Sequence, residues 1–177
     1  MSAADRAIAR AIVADLDQYA AWANERLLAC AERLGEGQLR HRFTQGALPI
    51  LDNLVHLVSS DRRWLARWQE APLPPGLTAA DLPSVAAVRQ AWRDLAERRG
   101  AYLAALDEAA LGAVIRWPDA DGTRALSRWQ AIVQCANHGT QHRSEIAAML
   151  TDCGQSPGDL DFGLWCRTAD GRARPTS

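Results

Sequence analysis

Apolar residues recur every three to four positions through most of this chain, the spacing of helices that each bury one face. From residue 4 to residue 34 the seam is Ile8, Ile12, Leu16, Tyr19, Ala23, Leu27 and Leu34, and Gly35 and Gly37 end it. A connector through His41 to Gly46 leads to Pro49, which suits the first turn of a second helix because its missing N–H goes unused there. That helix runs to about Glu70, where Pro72, Pro74, Pro75 and Gly76 stop it. Ser84 is the predicted N-cap of a third helix, whose seam of Val85, Val88, Trp92, Leu95, Tyr102 and Leu106 fades near Leu111 and Gly112.

The period then changes. Val114, Ile115 and Trp117 precede Pro118-Asp119-Ala120-Asp121-Gly122, and Thr123 to Leu126 follows. Asp-Gly between two short β-prone runs predicts a small hairpin, with Pro118 limiting its pairing. Ser127 and Gln130 form a capping-box pattern that starts the fourth helix, and Gly154 followed by Pro157 stops it after Cys153. The expected fold is all-α: a four-helix bundle with a small β-hairpin between helices 3 and 4. One domain spans residues 1–166, with apolar residues from Asp159 to Trp165 able to dock on the body, and residues 167–177 form a frayed, flexible tail.

Composition narrows the function classes. The 177 residues can close a single core, and 48% hydrophobic with 23% charged residues is a globular balance. Twenty basic and 21 acidic residues are interleaved for a net charge of −1, so no basic stripe points to nucleic acid or an anionic membrane surface. No stretch approaches a membrane span, and the N-terminus, charged from Asp5, lacks the apolar centre of a signal peptide. Cys30, Cys135, Cys153 and Cys166, without pairing-type spacing, then read as reduced thiols of a cytoplasmic protein.

Candidate chemistry sits in Asn137-His138-Gly139-Thr140-Gln141-His142-Arg143. Histidines at i and i+4 share a helix face, where they can hold one metal ion or simply decorate a surface; the spacing leaves both open. A third ligand must come from elsewhere, and His56 is the other mid-helix histidine, His41 lying in a connector. At about 100° per residue, His56 falls on a polar stripe with Asp52, Ser59, Ser60 and Arg63. Ile50, Leu54, Leu57, Val58, Trp64, Leu65 and Trp68 lie opposite, so taken alone His56 reads as a surface histidine. His138 and His142 fall at the edge of an apolar face, flanked by Gln134, Gln141 and Glu145. A site of these three histidines would lie on the bundle's flank with a coordination position open, as catalytic zinc requires. Glu145 is a candidate catalytic residue, as partner to an imidazole N–H or as general base, against the alternative of a solvated glutamate.

The Leu-x-His-Leu-x-x-x-Asp-x-x-Trp run from Leu54 to Trp64 and the segment from Asn137 to Ile146 are followed by Gly154-x-x-Pro157-x-Asp159-x-Asp161-Phe162. Together, from Tyr19 to Trp165, they resemble the DinB-like family of four-helix metal-binding proteins. The resemblance implies a bundle with an unusual connection order, homodimers, and a divalent metal held by His56, His138 and His142. By their chemistry, three imidazoles would take zinc, nickel or copper according to supply, with zinc expected first. Many relatives have histidine where Gln141 stands; that position is not a ligand, so the departure touches the pocket wall only. Family members include thiol transferases and thiol-dependent isomerases. The implied activity is therefore S-transfer from a low-molecular-weight thiol to a small-molecule substrate, with metal-dependent hydrolysis or non-catalytic metal or small-molecule binding as alternatives.

Two charges fall on apolar faces: Asp61 on the second helix and Arg143 on the fourth. An unpaired buried charge costs several kcal/mol, roughly, so the two are expected to meet, unless Arg143 serves a substrate anion. Arg99 interrupts the third helix's seam, either snorkelling to water or aiding an acidic substrate. Cys135, one turn before His138, reads as a small core residue more readily than as a fourth ligand. Trp64, Trp68, Trp92 and Trp129 are expected to fill the core, with Trp117 freer to line a pocket.

Overall fold

The computed structural model describes residues 3–43 and 47–168; Gly46, at the end of the expected connector, and the tail beyond Thr168 lie outside them. The elements are α1 (Ala3–Ala31), α2 (Glu36–Leu39), α3 (Ile50–Trp68), α4 (Val85–Ala104), α5 (Glu108–Gly112), β1 (Val114–Asp119), β2 (Gly122–Ser127), α6 (Arg128–Asp152) and α7 (Phe162–Arg167). Helices α1, α3, α4 and α6 make a four-helix bundle, with the antiparallel hairpin between α4 and α6 in the chain.

Local chemistry sets most boundaries. Ser84 Oγ accepts from Ala87 N at 3.2 Å at the start of α4, and Gln130 Oε1 accepts from Ser127 N at 2.9 Å at the start of α6. At the end of α6, Gly154 takes φ +77° while Gln155 N reaches Leu150 O and Gly154 N reaches Thr151 O, both at 2.9 Å. Those are the paired bonds of a Schellman closure, which needs a left-handed residue at Gly154. The third apolar seam is in fact two helices. Asp107 Oδ1 accepts from Ala110 N at 2.8 Å and starts α5, so α4 stops at Ala104. Pro118 stays in the hairpin ladder opposite Thr123, as a two-stranded sheet permits because both strands are edges.

The expected docking of the chain after Asp159 is made by a helix the periodicity did not predict. Asp161 caps α7 by accepting from Leu164 N at 2.9 Å, Trp165 is buried against Tyr19 and Ala23, and Tyr19 Oη donates to Leu160 O at 2.7 Å. Trp129, expected in the core, is 49% exposed, because Arg128 takes the inward position of that turn and donates to Trp68 O at 3.0 Å.

The connection order is unusual. Both α1 and α3 pack along α4 and α6, so α1 and α3 occupy diagonal corners of the bundle. Asp61 meets Arg99 and Trp68 meets Tyr102, so α3 and α4 run parallel; His56 meets His142 while Trp68 meets Arg128, so α6 runs against α3. The link from α3 to α4 must therefore return the length of α3, about 28 Å at 1.5 Å per residue. It does so along the outside of α3, where Arg63 Nη1 donates to Pro74 O at 3.0 Å and Leu77 N to Ser59 Oγ at 2.9 Å.

Candidate metal centre

Antiparallel packing of α3 on α6 brings His56 opposite His138 and His142. The ring centroids lie 5.4 Å (His56 to His138), 4.6 Å (His56 to His142) and 4.5 Å (His138 to His142) apart. One nitrogen from each falls within 4.8 Å of the others, and all three residues are half-buried. The polar stripe of α3 thus faces the edge of α6 instead of water at this point, which a wheel drawn for one helix has no means of showing. His41 is exposed, as expected.

Burial, reinforced by the neighbouring His142 ring, lowers the pKa of both His56 and His138, although Glu145 and Asp61 pull the other way. Lowered imidazoles are neutral near pH 7 and so carry the lone pair a metal needs. His138 Nδ1 is buried and has no hydrogen-bond partner among the described residues. Three imidazoles converging on one space, one with an unused buried nitrogen, fit a borderline-soft divalent ion such as zinc.

Glu145 Oε2 lies 3.1 Å from His142 Nδ1 and accepts from Asn53 Nδ2 at 3.2 Å, while Glu145 Oε1 accepts from Gln141 Nε2 at 3.4 Å. Burial raises the Glu145 carboxyl, but these hydrogen bonds outweigh it and the net direction is down. A carboxylate held beside Nδ1 fixes the proton there and leaves Nε2 of His142 free toward the other two rings. Ser60 Oγ stands 3.4 Å from His56 Nε2. Asn53, which the sequence pattern did not single out, is only 1% exposed. The available signal was a polar residue one turn before His56 amid the apolar residues of α3.

The expected pair of Asp61 with Arg143 is not made. Asp61 Oδ2 accepts from Arg99 Nη1 at 2.8 Å, Asp61 Oδ1 lies 3.4 Å from the Cys135 thiol, and Arg99 Nε also meets Asp17. Because α4 lies beside α3 and parallel to it, Arg99 reaches Asp61 directly; it is 5% exposed and does not snorkel. Burial alone would lower the Arg99 guanidinium, but the Asp61 and Asp17 carboxylates raise it. Cys135 belongs to this cluster, not to the imidazoles, and burial pushes its thiol well up. Arg143 turns toward α1 instead. It donates from Nη2 to Thr140 Oγ1 at 3.0 Å and lies over the Tyr19 ring, 5.3 Å from its centroid. A cavity of about 20 Å³, room for roughly one water, lies among Asp17, Asp61, Arg99, Cys135 and Arg143. Trp117 is packed rather than free: it meets Trp64 edge-on at 5.8 Å, with Arg67 over both rings.

Residues 19–146 match the sequence profile of the DinB superfamily. The chain is 23% identical over 158 residues to Protein DinB of Bacillus subtilis (strain 168), spanning 85% of this chain and 91% of that protein. Its fold matches the structure of YfiT from Bacillus subtilis, described as a probable metal-dependent hydrolase with an unusual four-helix bundle topology. That match has a TM-score of 0.62 at 15% identity and covers 88% of this chain and 91% of the other, a likeness of fold.

Proposed function

The chain belongs to the DinB superfamily, and on that premise we propose that it is a divalent-metal-dependent enzyme whose ion is held by His56, His138 and His142. The observation that carries this reading is the convergence of one nitrogen from each ring within 4.8 Å. Zinc is the favoured ion and nickel the second, both matched to imidazole. When bound, the ion supplies an open Lewis-acid position that lowers the pKa of a thiol or water brought to it.

The remaining work falls to the chain's own side chains. Glu145 keeps the proton on Nδ1 of His142, and its 46% exposed carboxylate is the candidate general base for an incoming nucleophile. By family resemblance, the nucleophile is a low-molecular-weight thiol and the reaction S-transfer to a small electrophile. Hydrolysis is the second reading, supported by the description of YfiT and by a carboxylate able to serve water equally well. The same reading includes a homodimer, for which Trp129 and Val133, one turn apart and exposed on α6, offer an apolar patch. Sedimentation at micromolar concentration tests it.

Elemental analysis of untagged protein should find one divalent ion per chain and a loss of it in His56→Ala. Wild-type protein without stoichiometric metal would overturn the proposal. With metal bound, turnover of a chlorodinitroarene by a panel of small thiols, abolished in His56→Ala, supports S-transfer. Turnover of nitrophenyl esters alone transfers the assignment to hydrolysis.

A further inference from the structure

Asn53 is a polar side chain in a place that packing alone would give to leucine. It sits on α3 between Leu51 and Leu54, is 1% exposed, and its Oδ1 is buried with no hydrogen-bond partner among the described residues. Burying an amide with half its bonding capacity unmet opposes folding. Its other half is engaged: Nδ2 donates to Glu145 Oε2, the same oxygen that faces Nδ1 of His142. Turning the amide over would set Oδ1 against a carboxylate oxygen, so this contact fixes the amide's orientation.

We propose that Asn53 is a positioning residue for the ligand His142, acting through Glu145. This rests on the metal-centre reading above and adds to it a buried anchor on the opposite helix. Glu145 is nearly half exposed and on its own would sample several rotamers. The Asn53 amide, held on the rigid backbone of α3, restrains the carboxylate so that it accepts from Nδ1 of His142 and keeps Nε2 aimed at His56 and His138. Since Asn53 is one turn before His56 on α3, one helix thereby supplies a ligand and also aligns a ligand carried by the other.

The test is metal affinity by competitive chelator titration, with the visible spectrum of the cobalt form, on protein whose fold is checked by melting of the metal-free form. Asn53→Leu should weaken binding about 10-fold or more, the usual effect of losing a partner behind a ligating imidazole, and should change the cobalt band intensity. Asn53→Asp, which sets two carboxylates together, should weaken it further, and combining it with Glu145→Gln should recover part of the loss by exchanging donor and acceptor. This rescue keeps the idea testable if Asn53→Leu does not fold. In ¹⁵N-histidine spectra the His142 Nδ1 proton should exchange faster in Asn53→Leu. A merely structural Asn53 would lower the melting temperature while leaving affinity, cobalt spectrum and proton exchange unchanged, and that result overturns the inference. Wild-type protein binding no metal would instead overturn the site reading, so the two failures are distinguishable.

Discussion

Gly139 stands between the two histidines of α6 because of the side chain it lacks. Glycine inside a helix costs about 0.5–1 kcal/mol relative to alanine, yet a Cβ here would lie 2.7 Å from Arg143 Nη1 and 3.4 Å from its Cζ. Arg143 is 4% exposed and held by Thr140 and Tyr19, so it has little freedom to withdraw. Gly139→Ala should therefore lower the thermal midpoint, against helix propensity; a higher midpoint would refute this account. The imidazoles make a second residue-level prediction. His56 and His138 have folded pKa values below the ordinary imidazole value, mainly through burial. In the metal-free protein the unfolded chain then takes up protons first, so stability present above about pH 6.5 is lost as pH falls through that value toward the lowered folded pKa. The metal-free midpoint should drop between about pH 7.5 and about pH 5.5, less so in His138→Gln. Equal slopes for the two proteins would contradict it.

At the scale of elements, the buried ion cluster ties α1, α3 and α4 together through Asp17, Asp61 and Arg99. Removing one partner of a buried pair costs about 3–5 kcal/mol, so Asp61→Ala should shift urea unfolding by that order. A double-mutant cycle should give strong coupling of Asp61 to Arg99 and weak coupling of Asp61 to Arg143; the reverse would restore the pairing expected from the helical wheels. That expectation shows where sequence legibility stops. Periodicity and caps located the four long helices and the hairpin, because those signals are local. The three histidines were legible through their flanking motifs. Asp61 was correctly placed inside, but a wheel gives a residue's azimuth on its own helix and not which neighbour occupies that azimuth. The partner depended on α4 lying parallel beside α3, a tertiary fact. Trp129 failed for a related reason: Arg128 donates to the Trp68 carbonyl at the end of α3 and to the Ala110 carbonyl of α5, and so took the buried position.

For the whole molecule, the diagonal placement of α1 and α3 means that consecutive long helices do not form a hairpin, and every neighbour of α3 in the bundle arrives later in the chain. Ligand binding should stabilise the complete fold, by about 2.7 kcal/mol at a metal concentration 100 times Kd, and a chain ending at Ser127 should show no gain in helicity with metal. The return segment along α3 places the same constraint on timing. During synthesis His56 emerges half a chain ahead of His138 and His142, with the crossover, α4 and the hairpin still to be made. A nascent chain can present at most one of these three histidines until α6 emerges from the ribosome. If the proposed ion is bound there, the centre can be completed only once α6 is made, so metal uptake would report that the last long helix is in place.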